Sequence, residues 1–169
     1  MSIERAEKKL REAEFFLTKM CEHSQKAFGD KEPIDFFLSA FLSASKTVDY
    51  MLNRAHGPDY QNWRARSEGG LAPAKASLHR FFADDRDLEI HRDGSSRTAD
   101  SRAVTVANEY SDASGTLQVF APPGTPAATL EVPHYWFEVD GARREAGEVC
   151  TEYLELVREK VAQFRSDHT

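Results

Sequence analysis

The segment FFADDRDLEIHRDG, residues 81–94, decides how we expect the chain to fold. Its two phenylalanines anchor it to an apolar core, and its final glycine ends the helix that carries it. Between these ends lie Arg86, Asp87 and His91, three side chains that can hold charge or transfer a proton. The sequence therefore predicts a helix that is fixed to the core at one end and carries a candidate site at the other.

Apolar and small residues recur at helical spacing along three other segments. The first covers residues 3–28, the second covers residues 33–55, and the last covers residues 142–164. Together with a helix at 72–82 that continues through residue 90, they predict an antiparallel four-helix bundle in a mainly α chain.

The second of these helices is apolar on more than one face, because Ile34, Phe36 and Leu52 widen its stripe. Two interpretations stay open: a central helix packed on two sides, or a helix that also lines a subunit interface. After it, we expect a short helical turn at residues 58–63 and a loop at residues 68–70.

Strand-like alternation replaces helical spacing between residues 94 and 140. A polar run rich in glycine and serine, residues 93–100, predicts a loop. The alternating segments that follow are residues 104–106, 117–121 and 130–139. Pro133 would place the last of them at a sheet edge or a bulge. We expect a small β hairpin or sheet at about 94–140, inserted before the last helix of a single domain, residues 1–169.

Composition and charge narrow the class of protein. The 169 residues carry a formal net charge of -6, which repels nucleic acid and argues against a general DNA-coating protein. No apolar run is long enough for a transmembrane helix, and the charged N-terminus does not resemble a secretion signal. Cys21 and Cys150 have no paired spacing and are expected to be reduced thiols. These features predict a cytoplasmic protein without a membrane partner.

The predicted helices and the motif within them resemble a HEPN-like domain. Members of that family are all-α bundles whose motif is an arginine, a polar residue and, after a gap of four to six residues, a histidine. Arg86, Asp87 and His91 match this motif. Two features depart from the family pattern: Asp87 stands where asparagine is common, and a β insertion precedes the last helix.

The resemblance implies a homodimeric, metal-independent endoribonuclease of toxin or defence type. It implies RNA as the substrate, an antitoxin or another protein as a partner, and neither a metal nor a cofactor. His91 would act as general base or acid on an RNA 2′-hydroxyl, Arg86 would stabilise charge on the phosphate, and Asp87 would orient one of the two. Histidine and arginine suit these roles, since one exchanges protons near neutral pH and the other grips phosphate with paired hydrogen bonds.

Helix geometry complicates this site. On a regular helix Arg86 and His91 point about 140° apart, so a shared phosphate requires the reach of arginine, an irregular helix end or a second copy of the site. Two other interpretations stay open. The domain could be a non-catalytic HEPN-like binding module, or a structural helical protein in which Arg86 pairs with Asp84 or Asp85 and His91 bonds the helix end.

The remaining histidines give no metal signal. No two of them have the close helical spacing with a carboxylate that is typical of a zinc or di-iron site. His79 is expected to be solvated or to reach toward the Arg86 site. We therefore expect no metal ion and no cofactor.

Overall fold

The structure, a computed structural model, describes residues 3–24, 32–91, 97–106 and 128–168, without the side chains of 86–91, 101–106 and 128–133. Its helices are α1 (Ile3–Ser24), α2 (Glu32–His56), α3 (Pro58–Gly69), α4 (Pro73–His91) and α5 (Ala146–Asp167). Its strands are β1 (Thr98–Val106), β2 (Ala128–Val139) and β3 (Ala142–Glu145). The expected mainly α class, with a small antiparallel sheet before the last helix, is confirmed. None of the described helices carries an apolar stretch that could cross a bilayer.

The core lies between the helices and is built from the predicted stripes. The buried residues of α1 are Ala6, Leu10, Ala13, Leu17 and Met20, which follow the helical spacing of the sequence. α1 packs against α2 and α5, and α2 also contacts α3 and α4. α2 is thus covered by several neighbours, in agreement with the central-helix interpretation. Phe36 and Tyr50 of α2 are nevertheless 61% and 57% exposed.

Aromatic rings fix α4 to the core. Phe82 is 1% exposed and stacks on Tyr153 of α5 with a centroid separation of 4.3 Å. Its ring also meets Phe41 of α2 and Phe137 of β2 edge-on. The prediction that the phenylalanines at the start of the 81–94 segment anchor it to the core is therefore confirmed.

A fifth helix, α3, occupies the region where we expected a short turn and a loop. Gly57, with φ of 52°, precedes it, and Pro58 begins it, at a position where the missing N–H costs nothing. The helix continues through Glu68 and Gly69 and ends where the backbone N–H of Gly70 donates to carbonyls of the last turn. The expected loop at residues 68–70 was wrong, because α3 includes its first two residues.

The sheet has the strand order β1-β2-β3, and both pairs are antiparallel. Pro133 pairs in register with Ser101, whereas β3 reaches along β2 only as far as Trp136. At Pro133, β2 is therefore paired with β1 and not with β3. The missing N–H of the proline consequently removes no hydrogen bond between β2 and β3. The expected loop at 93–100 is wrong for residues 98–100, which belong to β1, and the strand expected at 117–121 lies outside the described residues.

The last helix begins later than expected. Asp140 and Gly141 have φ of 53° and 73°, so they form the two-residue turn of a hairpin between β2 and β3. Residues 142–145 are consequently a strand, and α5 starts at Ala146. The Glu145 side chain caps the helix by accepting a hydrogen bond of 2.7 Å from the backbone N–H of Glu148.

Candidate functional site

Four helices each contribute an ionisable side chain to one cluster inside the bundle. Asp49 comes from α2, Glu68 from α3, His79 from α4 and Lys160 from α5. We call these four residues the ionic cluster. The Lys160 side chain is only 6% exposed, and those of Asp49 and His79 are largely buried. A buried ammonium is stable only when it is paired and its protons are hydrogen-bonded.

The Lys160 ammonium meets this condition. Its Nζ donates to Asp49 Oδ1 at 3.2 Å and to Glu68 Oε1 at 3.2 Å, and it lies 3.1 Å from His79 Nε2. An ammonium donates up to three hydrogen bonds and cannot accept one. The hydrogen bond between Lys160 and His79 therefore requires an unprotonated Nε2 on the imidazole. The geometry therefore assigns one partner to each Lys160 proton and favours a neutral His79.

Two side chains of α3 surround the carboxylates of the ionic cluster. The Tyr60 hydroxyl donates to Asp49 Oδ1. Arg64 Nε donates to Glu68 Oε1 at 2.6 Å, and its Nη1 lies 4.0 Å from Asp49 Oδ2. With His79 neutral, the two carboxylates balance the charges of Lys160 and Arg64, and the group has no net charge.

The pKa values follow from burial and from these charges. Burial alone would raise the pKa of Asp49, but Lys160, the Tyr60 hydroxyl and Arg64 together hold it below its usual value. The pKa of Glu68 is also lowered, since Arg64 and Lys160 outweigh the effect of burial. Burial first and the Lys160 charge second lower the pKa of His79. Burial and the Asp49 carboxylate raise the pKa of Tyr60, which keeps its hydroxyl protonated.

Asp49, Glu68 and His79 are also the residues that could hold a metal ion. One ligand atom from each lies within 4.8 Å of the others, and no other such group is found among the described residues. Two carboxylate oxygens and an imidazole nitrogen suit zinc or manganese. The Lys160 ammonium, however, lies between them and contacts all three.

A groove of about 440 Å³ opens outside the ionic cluster, between α2 and α3. Its lining residues are Lys46, Thr47, Asp49, Tyr50, Asn53, Tyr60, Gln61 and Arg64. Lys46 forms no ion pair with any side chain that the structure describes, and Tyr50 is largely exposed. Gln61 Nε2 donates to Asn53 Oδ1 at 3.0 Å across the groove. An unpaired cation beside an exposed ring can contact an anionic ligand that also has an aromatic part.

The predicted site residues Arg86, Asp87 and His91 all lie in α4. Their side chains lie outside the described part of the structure. Of the two acidic partners considered for Arg86, Asp84 is exposed and Asp85 is buried. The catalytic interpretation and its structural alternative both remain predictions.

His79 does not behave as the sequence analysis expected. The expectation that it is solvated is wrong, because its side chain is only 15% exposed and belongs to the ionic cluster. The alternative, a reach toward the Arg86 site, involves side chains that lie outside the described part of the structure. That cluster was missed because its members come from four helices and share no short spacing. One signal was available: Lys160 interrupts the apolar stripe of the last helix between Val157 and Phe164. A lysine at such a position needs buried partners.

Comparisons with known proteins assign the chain to no family. No protein-family model matches the chain, and neither a curated protein nor a solved structure matches it.

Proposed function

We propose that this chain is a HEPN-like, metal-independent endoribonuclease of toxin or defence type that acts as a homodimer. The observation that supports the proposal is the continuity of α4, a single helix from Pro73 to His91. Its first half is fixed to the core by the Phe82 aromatic contacts. Arg86, Asp87 and His91 therefore share one firmly anchored element, as a preorganised site requires.

The proposed reaction uses the RNA 2′-hydroxyl as its nucleophile. His91 takes the 2′-hydroxyl proton while the 2′-oxygen attacks the adjacent phosphorus. Arg86 stabilises the negative charge on the phosphate oxygens, and Asp87 orients one of these side chains. The bond to the 5′-oxygen breaks, and that oxygen takes up a proton from the protonated His91 or from water. The products end in a 2′,3′-cyclic phosphate and a 5′-hydroxyl. No step needs a metal ion.

The test is cleavage of a mixed RNA in excess chelator. We expect the wild-type chain to cleave. His91→Ala should lose about 100-fold or more of the rate, the usual contribution of an acid–base group. Arg86→Ala should lose about as much, the usual contribution of a donor that stabilises developing charge. His134→Ala is the matched control, since this histidine packs against Trp136 on β2 and has no role in the proposed site. Equal cleavage by the wild type and His91→Ala would identify a contaminating nuclease.

The groove between α2 and α3 favours a second candidate function, a non-catalytic binding module. Lys46 and Arg64 would contact the phosphates of a single-stranded nucleic acid, and Tyr50 would stack on a base. This function predicts binding of a labelled oligoribonucleotide without cleavage. A double variant, Lys46→Ala with Tyr50→Ala, should weaken the binding about 10-fold or more.

Lys8→Ala is the control for this second function, because this exposed lysine of α1 does not line the groove. Binding that is unchanged in the double variant, or reduced equally in Lys8→Ala, would contradict a role for the groove. The two candidate functions are separated by the chelator assay, since a binding module does not cleave the RNA that it holds.

A further inference from the structure

The three acceptors around Lys160 have the composition and spacing of a metal site. His79 Nε2 and Glu68 Oε1 lie 3.3 Å apart. Two ligands of a tetrahedral zinc ion, each bonded at about 2.1 Å, are separated by roughly 3.4 Å. The Asp49 oxygen is within 4.8 Å of both atoms, so a small side-chain movement would complete a three-ligand site. Catalytic zinc sites use the same number of protein ligands.

The His79 ring is already in the form that a metal requires. Its Nε2 is the acceptor for the Lys160 ammonium and must therefore carry a lone pair. A metal ligand must offer the same unprotonated nitrogen. Each of the two carboxylates likewise accepts a hydrogen bond from the Lys160 ammonium, which favours its ionised form.

We propose that Asp49, Glu68 and His79 form a divalent-metal site that Lys160 keeps closed, with its ammonium as the resident cation. A metal bonded to these atoms would need the space that Nζ occupies. The lysine could not simply stay beside the ion, because two positive charges would then adjoin in a buried position. Removing the ammonium leaves two ionised carboxylates and a neutral imidazole, which attract Zn²⁺.

Charge balance explains why the native chain holds its lysine there. With Lys160 and Arg64 protonated, the two carboxylates are neutralised. A divalent ion added to this set would leave a net charge of about +2 inside the bundle, which burial strongly disfavours. The same ion in a Lys160→Ala chain would leave only about +1, next to the partly exposed Arg64.

The experiment compares tag-free wild type, Lys160→Ala and Lys160→Ala/His79→Ala after treatment with chelator and desalting. Each is titrated with Zn²⁺ by calorimetry and melted with and without Zn²⁺. We expect Lys160→Ala to bind one ion and its melting midpoint to rise by about 5 °C or more at 100-fold excess over the Kd. We expect no such binding by the wild type, and weaker binding by the double variant. Co²⁺ should give Lys160→Ala a visible absorption band that the other two chains lack.

Lys160→Met is the second variant in case Lys160→Ala is unfolded without metal. Its unbranched side chain keeps most of the lysine volume while removing the charge. A Zn²⁺ response in either variant that is weakened by adding His79→Ala supports the proposal. Two variants that show no response to Zn²⁺ would overturn it, and so would a wild-type chain that binds Zn²⁺ through Asp49, Glu68 and His79. The result does not depend on the proposed endoribonuclease, because the ionic cluster contains none of its residues.

Discussion

The Lys160 ammonium of α5 lies 3.1 Å from Nε2 of His79 in α4, and both side chains are largely buried. This contact exists only while the imidazole is neutral, because a protonated ring would donate toward the ammonium and repel its charge. Through Asp49 and Glu68 the same ammonium also joins α2 and α3. One side chain therefore links four of the helices that enclose the core.

Loss of the Lys160 charge should destabilise the fold strongly. Lys160→Met leaves the largely buried Asp49 and the partly exposed Glu68 without their central cation, and breaking a buried pair costs about 3–5 kcal/mol. The free energy of unfolding, measured by urea denaturation, gives the size of the loss. Lys75→Met is the control, since Lys75 pairs with Glu159 in an exposed position and should change stability by about 1 kcal/mol or less. Similar losses for both variants would contradict a central role for Lys160.

Stability should fall as the pH falls, in two stages. The pKa of His79 in the folded chain is below its ordinary value of 6.5, so below about that pH the unfolded chain takes up a proton that the folded chain resists. Asp49 and Glu68 also have lowered pKa values, and their contribution is present above their ordinary values of 3.8 and 4.5 and lost below them. The lowered pKa values of His79, Asp49 and Glu68 therefore all make the folded chain less stable as the pH falls. The cations that face these three groups are Lys160 and Arg64.

The first stage can be isolated with His79→Gln. The free energies of unfolding of the wild type and this variant, measured between pH 7.5 and 5.0, should converge as the pH falls. A wild-type chain that becomes more stable relative to His79→Gln at pH 5.0 would show that His79 is protonated in the folded state.

The aromatic anchor of α4 should be one of the most sensitive points of the core. Phe82→Ala removes a ring that is 1% exposed and stacked on Tyr153, and such a truncation costs about 3–5 kcal/mol. Phe36→Ala is the matched control, because that ring is 61% exposed and should contribute about 0.5 kcal/mol or less. Thermal and urea unfolding compare the two. Equal effects would mean that α4 is not held by this ring.

Residues with a regular spacing were predictable from the sequence, and residues that depend on distant partners were not. The α1 stripe follows from its sequence because every third or fourth residue is buried against neighbours. α3 was expected only as a turn, since just Tyr60 and Trp63 are buried and the rest of the helix is polar. Its stability comes from contacts far along the chain, including a 2.8 Å hydrogen bond from Trp63 Nε1 to Asp167.

The start of α5 was predicted wrongly for a different reason. The pair Asp140 and Gly141 is a strong hairpin signal, but the helical stripe that follows it made a helix from residue 142 the simpler interpretation. The candidate sites divide in the same way. A short motif such as Arg86, Asp87 and His91 lies within one helix and can be identified in the sequence. The members of the ionic cluster come together only through the packing of four helices, so the sequence alone does not identify them.

The most direct test of the proposed function is the chemistry of the cleaved RNA. A defined oligoribonucleotide is incubated in chelator with the wild-type chain, beside the same oligonucleotide carrying a single 2′-deoxy sugar at the main cleavage position. We expect a 2′,3′-cyclic phosphate and a 5′-hydroxyl from the first, no cleavage at that position in the second, and neither product with His91→Ala. Cleavage of the 2′-deoxy position by the wild type, or complete loss of activity in chelator that returns with Mg²⁺, would contradict the proposed metal-independent mechanism.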